Sequence, residues 1–80
     1  MFYTYVLISE KDNKLYIGNS ENIKERLLVH NSGQVTSTKH RIPFRLVYFE
    51  KFETRSQARW RERNLKSASG HRELKKILKF

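Results

Sequence analysis

Residues 16–18, Tyr16-Ile17-Gly18, are the most informative stretch of this chain, because other informative residues stand at short, defined spacings before and after them. A second tyrosine, Tyr5, stands eleven residues earlier; Arg26 follows Tyr16 by ten residues, and His30 comes one helical turn later. A tyrosine hydroxyl can relay a proton, and an arginine can hold the negative charge that builds on phosphorus. The spacing therefore points to chemistry on a phosphodiester as well as to nucleic-acid binding.

The composition limits the classes of protein to which this chain can belong. A chain of 80 residues forms one domain, residues 1–80, with a thin core. The absence of cysteine excludes disulfides and thiolate zinc sites, and three histidines without a clustered carboxylate argue against structural zinc. No apolar run approaches the roughly 20 residues that span a bilayer, and no signal peptide opens the sequence. We expect a cytoplasmic protein.

The net charge of +9 is unevenly distributed. Residues 1–54 hold eight basic and six acidic residues, a net of +2, whereas residues 55–80 hold nine basic and two acidic residues, a net of +7. A cationic surface of this kind attracts the polyanionic backbone of DNA or RNA, and the attraction weakens with salt. Charge alone would equally suit an anionic membrane, an acidic protein or a merely solvated face.

The first third of the chain predicts a β-hairpin. Residues 2–8 are aromatic and β-branched, residues 11–14 form a turn signal, and residues 15–18 return as a second strand. Side chains alternate along a strand, so an even number of loop residues would place Tyr5 and Tyr16 on one face, and an odd number on opposite faces.

A helix is predicted next, over residues 21–31, with Asn19 or Ser20 as its N-cap and Gly33 at its C-terminal stop. Ile23 and Leu27 form its apolar stripe. At 100° per residue, His30 falls about 20° and Arg26 about 60° from Ile23, so both border the face that packs on the sheet.

The remainder predicts a loop, a strand and two helices. Residues 34–43 form the loop, which carries Lys39-His40-Arg41, and residues 44–52 form a strand whose continuous apolar centre suits burial on both faces. Thr54 and Gln57 form a capping box for a helix to about Lys66. Ser69-Gly70 would break it, and a last helix would cover residues 71–78.

Glu62 is the unusual residue of the second helix. It lies about 40° from Ala58, on the buried stripe that Ala58 and Leu65 mark. A carboxylate there is costly unless it is paired or holds a metal. It could pair with an arginine of its own helix or with Arg26, but beside the Tyr/Arg/His set we favour a divalent cation, since Mg²⁺ needs only one or two protein carboxylates.

Over its whole length the chain resembles the GIY-YIG endonuclease superfamily, most closely the small standalone bacterial members. The second half-motif is intact as Tyr16-Ile17-Gly18, while the first is degenerate as Tyr3-Thr4-Tyr5 and keeps only its final tyrosine. Arg26 occupies the position of the family's helix arginine. Residues 58–65, Ala-Arg-Trp-Arg-Glu-Arg-Asn-Leu, resemble the segment that supplies the metal-binding glutamate, here Glu62.

The resemblance implies an α+β fold, a three-stranded antiparallel sheet flanked by about three helices in the order β-β-α-β-α-α. It also implies hydrolysis of DNA phosphodiesters that depends on a single divalent cation, Mg²⁺ or Mn²⁺. The implied catalytic residues are Tyr5, Tyr16, Arg26, His30 and Glu62, with Glu62 holding the metal. Asn19 stands where the repair-excision branch has a lysine, which argues against that branch.

Several basic residues are expected to contact nucleic-acid phosphates rather than bases. They are Lys39, His40, Arg41, Arg55, Arg59, Arg63 and Lys66. Trp60, across the helix from Glu62, is expected to pack on the last helix rather than stack on a base. The tyrosines could instead be ordinary strand aromatics, and His30 a cation at a helix C-terminus.

Three functions fit these features. The first is a structure-selective, metal-dependent endonuclease acting on branched, nicked or flapped DNA in repair or recombination. The second is a catalytically weak nucleic-acid-binding module on the same scaffold, which could need a protein partner. The third is an RNA-binding or ribosome-associated protein.

Overall fold

The computed structural model describes residues 1–79, which form an open three-stranded antiparallel sheet with helices on both faces. The elements follow in the order β1 (Phe2–Ser9), β2 (Leu15–Ser20), α1 (Ile23–Asn31), a 3₁₀ turn (Lys39–Arg41), β3 (Phe44–Phe52), α2 (Arg55–Lys66) and α3 (Ala68–Leu78). The strand order is β2-β1-β3. The predicted α+β fold with the order β-β-α-β-α-α is confirmed.

The middle strand, β1, supplies side chains to two separate cores. Tyr5 and Leu7 pack with Phe44 beneath α1, and we call this cluster the α1-side core. Val6 points the other way and packs with residues of β2, α2 and α3. That second cluster, the α2-side core, consists of Val6, Ile17, Leu65 and Leu74.

The strand that is covered on both faces is β1, not β3, so the prediction from the apolar centre of β3 was wrong. β3 lies at an edge of the sheet, and its Phe49 is 51% exposed. β1 carries an apolar run of its own, Tyr5 to Ile8, and is buried from Thr4 to Ser9. Periodicity alone could not tell which of the two runs takes the middle position.

The hairpin register decides which tyrosines share a face. Tyr5 pairs with Gly18, Leu7 pairs with Tyr16, and the last pair is Ile8 with Leu15. Six residues, 9–14, therefore separate the paired strands. This even number places Tyr5 and Tyr16 on the same face, the one that α1 covers.

The first helix begins later than its sequence predicts. Asn19 and Ser20 still belong to β2, and Asn22 is the N-cap of α1, its side-chain oxygen accepting from Glu25 N at 3.1 Å. Chain pairing with β1 as far as Ser20 delays the turn into the helix. The C-terminal end agrees with the prediction, because Gly33 adopts a φ of 81° just beyond Asn31.

The capping box of α2 is confirmed, but the break after it lies elsewhere. Thr54 and Gln57 exchange hydrogen bonds as predicted. Ser67 ends α2 and also caps α3, accepting from Gly70 N at 3.2 Å. Gly70 therefore lies inside the first turn of α3, which begins at Ala68 rather than at residue 71.

Trp60 does not pack on the last helix, contrary to our expectation. Its side chain is 64% exposed, because it lies about 160° around α2 from Ala58 and so faces away from the core. Within residues 1–79, no helix combines the length and hydropathy that crossing a membrane requires.

The close approach of α3 to the end of α2 predicts the effect of adding one methyl group. A Cβ on Gly70 would lie 2.0 Å from Asn64 O and 2.5 Å from Leu65 Cα, and these backbone atoms cannot rotate away. We expect Gly70→Ala to lower the free energy of unfolding by about 2 kcal/mol or more, measured by urea denaturation. Ser69→Ala, at an exposed neighbouring position, is the control, and equal stability of the two variants would contradict this contact.

Candidate functional site

Tyr5 crosses the backbone of the motif residue Gly18. A Cβ placed on Gly18 would lie 2.6 Å from the Tyr5 hydroxyl oxygen and 3.3 Å from a ring carbon of Tyr16. Only glycine leaves room for the phenol at this pairing position. The glycine of the tripeptide thus has a physical role, which is to let the first tyrosine lie against the second strand.

His30 lies beneath both tyrosines and is fully buried. Its Nε2 is 3.4 Å from the Tyr5 hydroxyl, and its ring meets that of Tyr16 edge-on at a centroid distance of 4.8 Å. Phe44 closes the other side of the imidazole, with centroids 5.8 Å apart. The structure therefore brings Tyr5, Tyr16 and His30 into direct contact.

A second hydrogen bond fixes the tautomer that we assign to His30. Its Nδ1 lies 3.1 Å from Thr38 Oγ1, and that hydroxyl is within 3.5 Å of the carbonyl oxygen of Val35. If the hydroxyl donates to the carbonyl, its oxygen accepts from Nδ1–H. Nε2 then carries the lone pair and accepts from the Tyr5 hydroxyl.

The surroundings of Tyr5 and His30 keep both side chains neutral. Burial raises the pKa of Tyr5 to about 12, and the Tyr16 phenol and the Glu62 charge act in the same direction, whereas Arg26 opposes them. Burial also lowers the pKa of His30, and the neighbouring charge of Arg26 lowers it further. At neutral pH the pair is a protonated phenol facing an unprotonated nitrogen.

Arg26 lies at the mouth of a cleft of about 360 Å³. The half-buried guanidinium is close enough to influence the pKa of both Tyr5 and His30. The cleft is lined by Phe2, Asn19, Ser20, Glu21, Asn22, Glu25, Arg26, Val29 and Arg55. Neither tyrosine is among these residues, and Tyr5 is buried whereas Tyr16 is partly exposed.

Glu62 approaches the motif from the opposite face of the sheet. It accepts a hydrogen bond from the Asn19 side chain through Oε1, and Lys66 Nζ lies 2.6 Å from Oε2. The carboxylate is 20% exposed. It points toward β2 rather than into solvent, and it pairs with neither Arg26 nor an arginine of its own helix.

Asn19 lies between the cleft that contains Arg26 and the cleft that contains Glu62. It follows Gly18 and so points to the other face of the sheet. It lines the Arg26 cleft and also a second cleft of about 350 Å³ beside Glu62, whose other walls are Arg59, Arg63 and Lys66. Arg26 and Glu62 therefore border different clefts, and Asn19 is a wall of both. The Glu62 charge is nevertheless close enough to raise the pKa of Tyr5.

The basic residues expected to contact phosphate fall into two groups. Arg55, Arg59, Arg63 and Lys66 are exposed along α2, and Lys39 and His40 are exposed in the 3₁₀ turn. Arg41 is different, because it pairs with Asp12 at 2.9 Å and donates to the carbonyls of Lys14 and Leu15. Those bonds tie the turn to the hairpin and compete with any phosphate contact.

Two polar residues of this region escaped sequence analysis. Thr38 lies in a predicted loop and gives no periodic signal, and its contact with His30 depends on the path of that loop. Sequence patterns single out Asn19 only as a candidate N-cap, and the family resemblance adds only that it replaces the lysine of a related branch. Its pairing with Glu62 joins residues 43 positions apart, which no local pattern reveals.

The family model of the GIY-YIG catalytic domain matches residues 1–76. This chain belongs to the GIY-YIG family. The membership supports a nuclease-type function acting on nucleic acid.

Small proteins of similar length resemble this GIY-YIG chain. The UPF0213 protein SSP2268 of Staphylococcus saprophyticus is 42% identical over 76 residues, covering 94% of this chain and 92% of that protein. The UPF0213 protein CPE1444 of Clostridium perfringens is 38% identical, with coverages of 96% and 83%. The solution NMR structure of the UPF0213 protein BH0048 from Bacillus halodurans has a TM-score of 0.56 and 31% identity, covering 96% of this chain and 85% of that one.

The raised pKa of Tyr5 predicts its titration. The phenol is expected to ionise near pH 12, well above the ordinary value of 10.0. Because the folded state holds this proton more tightly than the unfolded state does, its contribution to stability is present below pH 10 and is lost as pH rises from 10 toward 12. Carbon-13 NMR of labelled tyrosines, with Tyr5→Phe to assign the signal, would measure this. A Tyr5 signal titrating near pH 10 would contradict it.

The contact between Thr38 and His30 predicts that replacing Thr38 lowers the stability of the fold without a large change in its shape. Thr38→Val removes the acceptor of Nδ1–H inside the fold, which should cost about 1–3 kcal/mol. Nitrogen NMR of the imidazole should also show loss of the fixed tautomer. Thr36→Val, at an exposed position nearby, is the matched control, and unchanged imidazole signals in Thr38→Val would exclude the proposed network.

Proposed function

We propose that this chain is a divalent-metal-dependent endonuclease that hydrolyses DNA phosphodiester bonds and selects its substrate by DNA structure, in repair or recombination. The observation that carries the proposal is the contact of Tyr5 with His30 beside Arg26, with Glu62 facing the same motif across β2. A proton relay, a fixed positive charge and a carboxylate are the groups that phosphodiester hydrolysis needs.

Glu62 is the residue we assign to a divalent cation, Mg²⁺ or Mn²⁺. Among residues 1–79 there is no group of three or more acidic, histidine or cysteine side chains that could bind a metal. One carboxylate can nevertheless suffice for Mg²⁺, which keeps several waters. When bound, the cation supplies Lewis-acid stabilisation of the scissile phosphate. Lys66, whose side chain is exposed, would have to leave Oε2.

Tyr5 and His30 are proposed to move the proton of the attacking water. The water proton passes to the Tyr5 oxygen while the phenol proton passes to His30 Nε2, so Tyr5 never has to ionise alone. This concerted path avoids a free phenolate, which the raised pKa of Tyr5 makes unfavourable at neutral pH. The lowered pKa of His30 favours rapid return of the proton after the reaction.

Arg26 and Tyr16 are proposed to hold the phosphate. The Arg26 guanidinium lines the cleft next to Tyr5 and would stabilise the extra negative charge on phosphorus. Tyr16 is the more exposed of the two phenols. We assign it to contact a phosphate oxygen, and its edge-on packing against His30 holds the imidazole in position.

Structure selectivity follows from the chemistry of the basic surface. Arg55, Arg59, Arg63 and Lys66 are long cationic side chains that suit phosphates, and phosphate contacts carry no sequence information directly. An enzyme that binds mainly through such contacts distinguishes substrates by the path of the backbone. Branched, nicked or flapped DNA differs from duplex DNA in this respect.

A second candidate is a nucleic-acid-binding module that cleaves little by itself. The observation in its favour is that Asn19 and Lys66 already occupy both oxygens of Glu62. A carboxylate that is satisfied in this way has less tendency to bind a cation. Under this alternative, the basic surface of α2 is the functional part of the molecule and could act with a partner protein.

Glu62→Gln separates the two candidates. The amide keeps the size of the side chain and removes the charge, so cleavage dependent on Mg²⁺ or Mn²⁺ should fall by at least 100-fold while DNA affinity stays within about three-fold, since one acidic charge opposes rather than assists phosphate binding. Cleavage of labelled branched, nicked and flapped DNA and filter binding at fixed salt measure the two effects.

Glu53→Gln, an equal change of charge at an exposed position, should leave cleavage unchanged. Wild-type protein that binds these substrates and cuts none of them with either metal would favour the binding module. Stronger binding to structured RNA than to DNA at the same salt would point instead to an RNA-binding protein.

A further inference from the structure

Trp60 is the one tryptophan of the chain, and neither of the functions above uses it. Its side chain is 64% exposed on α2, and with Phe52, Ser56 and Gln57 it lines a groove of about 410 Å³. A large flat aromatic surface in water is unfavourable for an isolated protein. Exposed aromatic side chains are also the groups on which unpaired bases stack.

Four of the five cations of α2 lie between Trp60 and Glu62 around the helix. At 100° per residue, Arg63 falls about 60° around the helix from Trp60, Arg59 about 100° and Glu62 about 160°, all in the same direction. Lys66 and Arg55 fall within the same arc, at about 120° and 140°. A strand of phosphates that leaves the Glu62 cleft and crosses these four cations therefore reaches Trp60.

Within α2, the opposite flank of Trp60 carries no comparable positive charge. Arg61 lies there, but it is bound to Glu50 at 2.9 Å and to Glu73 at 2.7 Å. These two carboxylates neutralise it. The positive charge of α2 that is free of carboxylate partners thus runs from Trp60 toward Glu62, apart from Lys66, which pairs with Glu62 itself. We take this to be the direction of a continuous nucleic-acid strand.

We propose that the groove of Trp60 and Phe52 binds an unpaired base of the DNA strand whose phosphates cross α2 toward Glu62. The proposal rests on the DNA-binding part of the proposed function and specifies it further, because the substrate must then have a single-stranded segment close to the cleavage point. The path around α2 covers about 160° of a helix that is 10–12 Å in diameter, which is about 14–17 Å and requires only a short segment.

The charge around the groove of Trp60 and Phe52 favours a nucleic acid over a protein as its occupant. Arg59 and Arg63 are exposed beside the aromatic groove and form no ion pair within residues 1–79. An apolar protein partner would bury these cations at a cost. A DNA strand offers a flat base to the groove and successive phosphates to the two neighbouring arginines. The aromatic side chains and the cations are therefore satisfied together.

The single tryptophan makes the test direct. Intrinsic fluorescence of the full chain is measured without metal and at fixed salt, while oligo(dT) or a blunt duplex of equal length is added. Stacking should quench Trp60 with oligo(dT) and leave it nearly unchanged with the duplex. Trp60→Ala should weaken oligo(dT) binding by about ten-fold in an anisotropy assay, in line with the contribution of base–aromatic stacking, and Trp60→Phe should retain most of it.

Leu28→Ala, which truncates a side chain 69% exposed on α1, should bind oligo(dT) as the wild type does. The proposal is overturned if oligo(dT) binds without quenching Trp60, if the duplex quenches equally, or if oligo(rU) binds more tightly than oligo(dT). It is also overturned if fluorescence changes with protein concentration alone, which would assign the groove to self-association. Oligo(dT) should also quench Trp60 in Glu62→Gln, because base stacking requires no metal and no carboxylate. This result would separate the stacking proposal from the cleavage proposal.

Discussion

The passage of the Tyr5 ring over Gly18 is the constraint on which the rest of the site depends. Tyr5 belongs to the middle strand, so its place is fixed by pairing with β2 on one side and β3 on the other. The missing side chain at position 18 lets the phenol lie flat against β2 and reach His30. Any larger residue there would displace the hydroxyl, and with it the hydrogen bonds that continue through the imidazole to Thr38.

The edge of β2 divides the chemistry between two faces of the sheet. The phenols, His30 and Arg26 belong to the face under α1, and Glu62 belongs to the face under α2. Two neighbouring residues, Gly18 and Asn19, connect them, because alternation along a strand turns one toward each face. A short strand at the edge of a small sheet is a suitable place for such a site, since substrate can approach from the open side.

Local signals predicted much of this fold, and the errors share a physical cause. The hairpin, the capping box at Thr54 and the glycine beyond α1 depend on residues close in sequence, and all were confirmed. The start of α1, the middle position of β1 and the exposure of Trp60 depend on which elements pack together. Thr38 and Asn19 act through contacts across 8 and 43 positions, so only the folded chain reveals them.

Affinity and chemistry rest on different parts of this molecule. The cations that would attract a phosphate backbone lie on α2, and attraction of that kind tolerates changes in position, because it acts over a Debye length of about 8–10 Å. The Tyr5–His30–Thr38 chain tolerates little, since each hydrogen bond depends on its direction and is buried. One substitution near Gly18 is therefore expected to remove the proposed proton transfer and to leave the proposed nucleic-acid binding intact. The proposed binding, in contrast, involves four separate side chains of one helix, and we expect it to decline gradually as they are replaced.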